Sequence, residues 1–170
     1  LLDPDDIRRD MALLNQNAHL FFGTIRENLT LGAPLASNDE IIRALQITNA
    51  LEIVEQKKEG LDHLILEGGV GFSGGQKQAL LLTRLLLRNP NIVLLDEPTA
   101  SIDDVSEKVL IQHLKEWLGH RTLVVATHRP AVLQLVDRII VVHEGKIIKD
   151  GPRDAILNPA QQANAGGTST

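Results

Sequence analysis

Two periods of apolar residues run through the chain, and together they predict its elements. Short unbroken runs occur at Met11, Ala12, Leu13 and Leu14, before Asn15-Gln16, and at 92–95, bounded by Asn89-Pro90 and Pro98. Such runs suit strands buried in a parallel sheet. Residues 121–126 predict the next buried strand. Residues 138–143 and 146–149 predict two short strands around the turn Glu144-Gly145. Between them the period becomes helical. Ile41, Ile42, Leu45 and Ile47 mark an amphipathic helix over 39–48, with a shorter one over 50–56. Residues 76–88 are apolar almost all round, which predicts a buried helix stopped by Asn89-Pro90. Val105, Val109, Leu110, Leu114, Trp117 and Leu118 recur at helical spacing over 103–118, and Gly119 fits the stop. Residues 2–9 read as a turn and short helix, 133–136 as a helical segment and 151–157 as the start of a last helix.

Local signals mark two further starts, a helix or turn at Gly23-Thr24 and the helix after Ser73. Thr24 with Glu27, and Ser73 with Gln76, have the spacing of a capping box. The run Lys57-Lys58-Glu59-Gly60 is a charged exposed turn. Residues 158–170, rich in Ala, Asn, Gln, Gly, Ser and Thr, predict a disordered tail.

Composition narrows the field. The formal net charge of −5 and the scarcity of aromatics, limited to Phe21, Phe22, Phe72 and Trp117, argue against nucleic acid as the partner. There is no cysteine, so disulfides and thiol catalysis are excluded. No run approaches the roughly 18 apolar residues of a membrane span. The chain opens on Leu with no capped element before it, so it is read as beginning inside a domain.

The candidate chemistry lies within 68–97. Gly74 and Gly75 let another group approach the backbone closely at a capped helix start, and free N–H groups there suit a phosphate. This is not the phosphate loop G-x-x-x-x-G-K-[ST]: Lys77 follows Gln76 and precedes Gln78, and that loop occurs nowhere in the 170 residues. Asp96 and Glu97 close the second apolar run, at the carboxyl end of a strand, where ligands bind in open α/β sheets. Alternation along a strand would send the two acids to opposite faces, one for Mg²⁺ and one to accept a proton from water. His128 stands at the end of the next predicted strand. The other five histidines show no metal-ligand spacing. Alone, Gln16 reads as a loop amide, Arg84 as a structural partner, and Trp117 and the Phe21-Phe22 pair as core.

In this order the pieces resemble the ATP-binding cassette (ABC) ATPases. Phe72-Ser73-Gly74-Gly75-Gln76 is similar to their signature sequence, with Phe in the usual Leu position. Residues 92–97 are similar to the Walker B strand with its catalytic Glu, and Asp96-Glu97-Pro98-Thr99-Ala100-Ser101-Ile102-Asp103 runs on into the D-loop. The resemblance covers roughly 1–157. It implies an α/β, P-loop NTPase-like nucleotide-binding domain, with a helical subdomain inserted at about 24–88, its N-terminal strands and Walker A loop lying before Leu1. ATP and Mg²⁺ are the implied cofactors. Glu97 and His128 become catalytic, Gln16 and Asp96 hold Mg²⁺, partly through water, and Gln16 also senses the γ-phosphate. Ser73, Gly74, Gly75 and Gln76 serve the ATP of a second cassette, and Asp103 communicates across that interface. Leu81 and Thr83 stand where the family often carries small residues.

Residues 20–28 are similar to exporter cassettes, where this region meets the transmembrane domain. Glu67 takes the place of their acidic loop in a stretch that departs from the family pattern. Residues 127–133 and 136–141 are most similar to cassettes of type I secretion exporters. The implied partners are a second cassette, read as a copy of this one, a transmembrane domain of the same chain and secretion accessory proteins, at the cytoplasmic face of a bacterial inner membrane. The isolated 170 residues are expected to hydrolyse little ATP. Two rival readings are a chromosome- or repair-type ABC ATPase lobe, preceded by coiled coil, and a non-catalytic dimerisation module.

Overall fold

A computed structural model describes residues 10–158, together with Asp3 and Ile7. The turn and short helix expected over 2–9 fall largely outside the described residues, as does nearly all of the tail. Three strands form a parallel sheet in the order β1 (Met11–Leu14), β4 (Ile92–Asp96), β5 (Thr122–Ala126). Leu14 is level with Leu95, and Leu95 with Val125. The carboxyl ends of all three strands therefore lie at one end of the sheet. β4 is central, with Val93 and Leu95 buried. β5, expected to be buried, is an edge strand among the described residues, and Val124 is 58% exposed.

The connection from β1 to its neighbour β4 carries most of the helices. β2 (Gly23–Thr24) pairs with β3 (Leu64–Ile65), and α1 (Ile25–Thr30) starts on the Thr24–Glu27 capping box. α2 (Asn38–Ile47) starts on a box that the sequence reading passed over, Ser37 with Glu40, and buries Ile41, Ala44 and Leu45. α3 (Leu51–Glu55) follows, and then α4 (Gly74–Leu87), capped by Ser73. α4 is enclosed as its composition predicts: Leu80 and Leu82 have no exposed surface. Thr83, also fully buried, donates to the Ala79 carbonyl at 2.8 Å and meets the Thr48 hydroxyl at 2.7 Å, which ties α4 to the end of α2. Arg84 is structural, as expected: it donates to the Asn28 carbonyl and side chain and to the His19 carbonyl.

α5 (Asp104–Leu118) is the expected helix with its buried face rotated. Leu110, Ile111, Leu114 and Leu118 are buried together with Glu107, whereas Val105 is 76% and Val109 40% exposed. Trp117 is half-buried against the core and stacks on the Arg121 guanidinium at 4.3 Å. Phe22 is not core but 60% exposed. After a 3₁₀ turn (Pro130–Leu135), β6 (Arg138–His143) and β7 (Lys146–Pro152) form the predicted hairpin, with a bulge at Val141/Val142, and α6 (Arg153–Leu157) follows. Among the described residues no helix is long and apolar enough to cross a membrane.

Candidate functional site

Strand register assembles the first half of the site. Gln16, Glu97 and Thr127 each lie two residues beyond the matched positions Leu14, Leu95 and Val125. The loops that follow β1, β4 and β5 therefore emerge side by side, the place where open α/β sheets bind ligands. Gln16 is exposed in the turn after β1. Asp96 is the last residue of β4, and its carboxylate has no hydrogen bond or ion pair among the described residues.

Glu97 differs from expectation in one respect. It is not a strand residue on the opposite face to Asp96. Its φ is +48°, in the left-handed region, and its N–H donates to the Ala126 carbonyl at 2.9 Å. The turn carries its carboxylate onto the loop after β5. There Thr127 Oγ1 donates to Oε2 at 3.2 Å, the His128 N–H donates to Oε1 at 3.1 Å, and His128 Nδ1 lies 2.7 Å from the same Oε1. An ionised carboxylate only accepts, so with Glu97 ionised Nδ1 carries the proton and Nε2 is left to face outward. The Glu97 side chain is 16% exposed and that of His128 is 79% exposed, so the pair presents its imidazole to solvent over a half-enclosed acid. A bulky residue in left-handed backbone costs of order 1–3 kcal/mol and persists only where its surroundings over-determine it, which is characteristic of functional sites.

The second half is built on the start of α4. Ser73 Oγ accepts from the Gln76 N–H at 3.2 Å, and Gln76 Oε1 accepts from the Ser73 N–H at 2.9 Å, so the expected capping box is complete. The close approach expected at the two glycines is made by the chain itself. A Cβ on Gly75 would stand 2.9 Å from the Ser101 carbonyl oxygen, and one on Gly74 would stand 3.1 Å from Ser101 Cβ. The 99–103 loop thus rests on the glycines. Asp103 then caps α5: its carboxylate accepts from the Ser106 N–H at 3.0 Å and the Val105 N–H at 3.1 Å, and these bonds, Ser106 first, hold it below the usual carboxylate range. Ser73, Gly75, Gln76, Asp103 and Ser106 face one groove of about 260 Å³.

Sequence reasoning missed the residues behind these two halves. Arg129 Nε lies 2.7 Å from Glu107 Oε1, and its Nη2 donates to Glu107 Oε2 and to Asp104 Oδ1, both at 2.9 Å. Thr99, fully buried, donates to Glu107 Oε1. Hydrogen bonding to Glu107 holds the Arg129 guanidinium above its ordinary value. Nothing in a spacing of 22 residues marks such a pair. The one available signal was a Glu at an apolar phase of a helix.

No group of three or more His, Asp or Glu among the described residues could cage a metal. One unpaired carboxylate at the strand end, Asp96, suits Mg²⁺, which keeps most of its waters and takes one or two carboxylates beside substrate phosphates.

Comparison with known proteins agrees with this geometry. The ABC transporter family profile matches residues 3–100. The chain is 36% identical over 151 residues to an ATP-dependent lipid A-core flippase of Chromobacterium violaceum, covering 89% of this chain and 26% of that protein. It is 44% identical over 146 residues to the glutathione/L-cysteine transport system ATP-binding/permease protein CydD of Haemophilus influenzae, covering 86% of this chain and 25% of that one. Among solved structures, a bacterial Atm1-family ABC exporter with ATP bound superposes with a TM-score of 0.83 at 26% identity, over 98% of this chain and 30% of that chain. The chain thus spans about a quarter of the length of these two relatives. With more than half of its residues inside the family profile, and this α/β fold shared with the exporter structure, the chain belongs to the ABC transporter family and forms part of its ATP-binding domain.

Proposed function

We propose that the protein carrying this chain hydrolyses ATP to drive export, and that Glu97 accepts the proton of the attacking water. The observation that carries this reading is the Glu97 carboxylate, turned out of β4 by left-handed backbone and held by Thr127 and His128 at the carboxyl end of the sheet. His128 directs its free Nε2 toward the γ-phosphate. Gln16 and Asp96 hold Mg²⁺, partly through water. When bound, that ion would neutralise charge that develops on the transferred phosphoryl group. Ser73, Gly74, Gly75 and Gln76 close on the ATP of a second, identical cassette, and Asp103 lies in the shared interface beside their groove. Closing two such surfaces on one nucleotide excludes water from the reacting atoms.

The same reading extends to the partners. Phe22 is 60% exposed, and its N–H donates to Glu67 Oε2 at 3.1 Å, which joins the exporter-like segment to the acidic residue expected beside a transmembrane domain. We assign the cassette to a type I secretion-like exporter of a bacterial inner membrane, facing the cytoplasm, on the residues at 127–133 and 136–141. Residues 24–88, which hold α1 to α4, constitute its helical subdomain. The 170 residues alone hydrolyse little ATP, because no phosphate loop lies among them.

The test is Glu97→Gln in the complete protein. Loss of a general base costs about 10²–10⁴ in rate. Steady-state hydrolysis is expected to fall at least about a hundredfold, with ATP affinity kept within a few-fold. Hydrolysis close to the wild-type rate would remove Glu97 from this role.

A further inference from the structure

Resting on the assignment of Glu97 above, we propose that Arg129 and Glu107 are positioning residues: a clamp behind the site that holds both chain segments flanking Glu97 and so fixes where its carboxylate and the His128 imidazole lie. Three observations build the clamp. First, the Glu97 carboxylate has no support of its own on β4. Among the described residues, all three of its side-chain bonds go to Thr127 and His128. Second, Thr127 is steered by Arg129, two residues on. The Arg129 N–H donates to Thr127 Oγ1 at 3.0 Å, which occupies that oxygen as an acceptor and turns its proton toward Glu97 Oε2. The Arg129 side chain is anchored to Glu107 by a hydrogen bond from Nη2 to Oε2 at 2.9 Å and by an ion-pair contact of 2.7 Å from Nε to Oε1, and charge-assisted contacts of this kind are stronger than neutral ones. Third, the same Glu107 carboxylate accepts from Thr99, two residues beyond Glu97 on the other arm.

Glu107 is thus the point where the two arms meet. It is 4% exposed, although it lies in the first turn of a helix that also has a solvent face. A buried ion pair is weak evidence for stability, because desolvation offsets much of its attraction. What this one supplies is geometry: Thr99, two residues after Glu97, and Arg129, two residues after Thr127, are both held by Glu107 on the first turn of one helix. That turn is the start of α5, capped by Asp103, whose loop rests on Gly74 and Gly75. A displacement of the 99–103 loop therefore reaches Glu97 through Thr99, Glu107 and Arg129.

The test uses the complete protein and compares kcat, KM for ATP and thermal unfolding for Arg129→Ala, Arg129→Lys, Glu107→Gln and the double variant Arg129→Ala/Glu107→Gln. The clamp predicts that Arg129→Ala lowers kcat about tenfold or more with KM within threefold. Arg129→Lys keeps the charge but not the planar guanidinium that reaches both Glu107 and Asp104, and falls between wild type and Ala. Glu107→Gln keeps a partner for Thr99 and loses the ion pair, so its loss is also in kcat, and the double variant is no worse than the poorer single. Should Arg129→Ala fail to fold, Arg129→Lys and Glu107→Gln carry the same test. A kcat within twofold of wild type, a loss borne by KM, or single losses that multiply in the double variant would overturn the clamp. Glu97→Gln run alongside separates the two claims. If it is inactive while Arg129→Ala turns over normally, the clamp alone fails. If it hydrolyses normally, the assignment of Glu97 fails first.

Discussion

Gly75 shows how little room the site leaves. The Ser101 carbonyl oxygen occupies the place that a side chain would take, and a carbonyl within the 99–103 loop has no rotamer by which to yield. Gly75→Ala is therefore expected to destabilise the protein by about 1–3 kcal/mol, as overpacking does, and to lower turnover by shifting that loop. Thermal unfolding beside ATP hydrolysis would check it, and unchanged values in both would contradict the close approach. Thr83 carries a milder version of the same argument. Thr83→Val removes a hydroxyl that meets Thr48 and the Ala79 carbonyl, and Thr48 keeps the Ala44 and Leu45 carbonyls as partners. The expected loss is about 1 kcal/mol in denaturant unfolding. At this scale the sequence was informative where chemistry is local. The Ser73–Gln76 box and the acid pair are spelled out in adjacent letters. The left-handed turn at Glu97 and the pairing of Arg129 with Glu107 are not, because both depend on where a second strand end lies.

Helix α5 buries a different face from the one its apolar letters mark. Its predicted apolar stripe included Val105 and Val109, yet the buried positions are Glu107, Leu110, Ile111, Leu114 and Leu118. The true stripe includes a charged residue, so a count of apolar letters rotates the face by about one position. Its cap, in contrast, is a local feature. The Asp103 carboxyl is held below its ordinary value of 3.8 by the Ser106 and Val105 N–H groups. A carboxyl with a lowered folded-state value contributes stability that is fully present above the unfolded value. That stability is lost as pH falls through the folded one. Asp103→Asn keeps a capping oxygen but does not titrate. The variant is expected to lose less stability than wild type as pH falls below about 4, measured by thermal unfolding across pH 3–6. Parallel curves for the two proteins would contradict the cap as the source. The strands were legible as runs, but the exposure of β5 was not: an unbroken apolar run looks the same at the edge of a sheet as at its centre.

For the whole molecule, parallel register does the assembling. Three strands of four or five residues bring Gln16, Asp96, Glu97 and His128 to one end of one sheet, although they are spread over more than a hundred residues of chain. The 99–103 loop then links that end to the start of α4. Order and spacing of the motifs made the family legible from sequence, and the α/β fold agrees with it. The decisive observable is the identity of the nucleotide retained by the complete protein after incubation with Mg²⁺ and ATP and rapid removal of free ligand. Wild type is expected to release phosphate and retain ADP, whereas Glu97→Gln binds equally well and retains uncleaved ATP. ADP formed by both proteins at the same rate would contradict the account, because the carboxylate that the fold turns toward Thr127 and His128 would then have no part in cleavage.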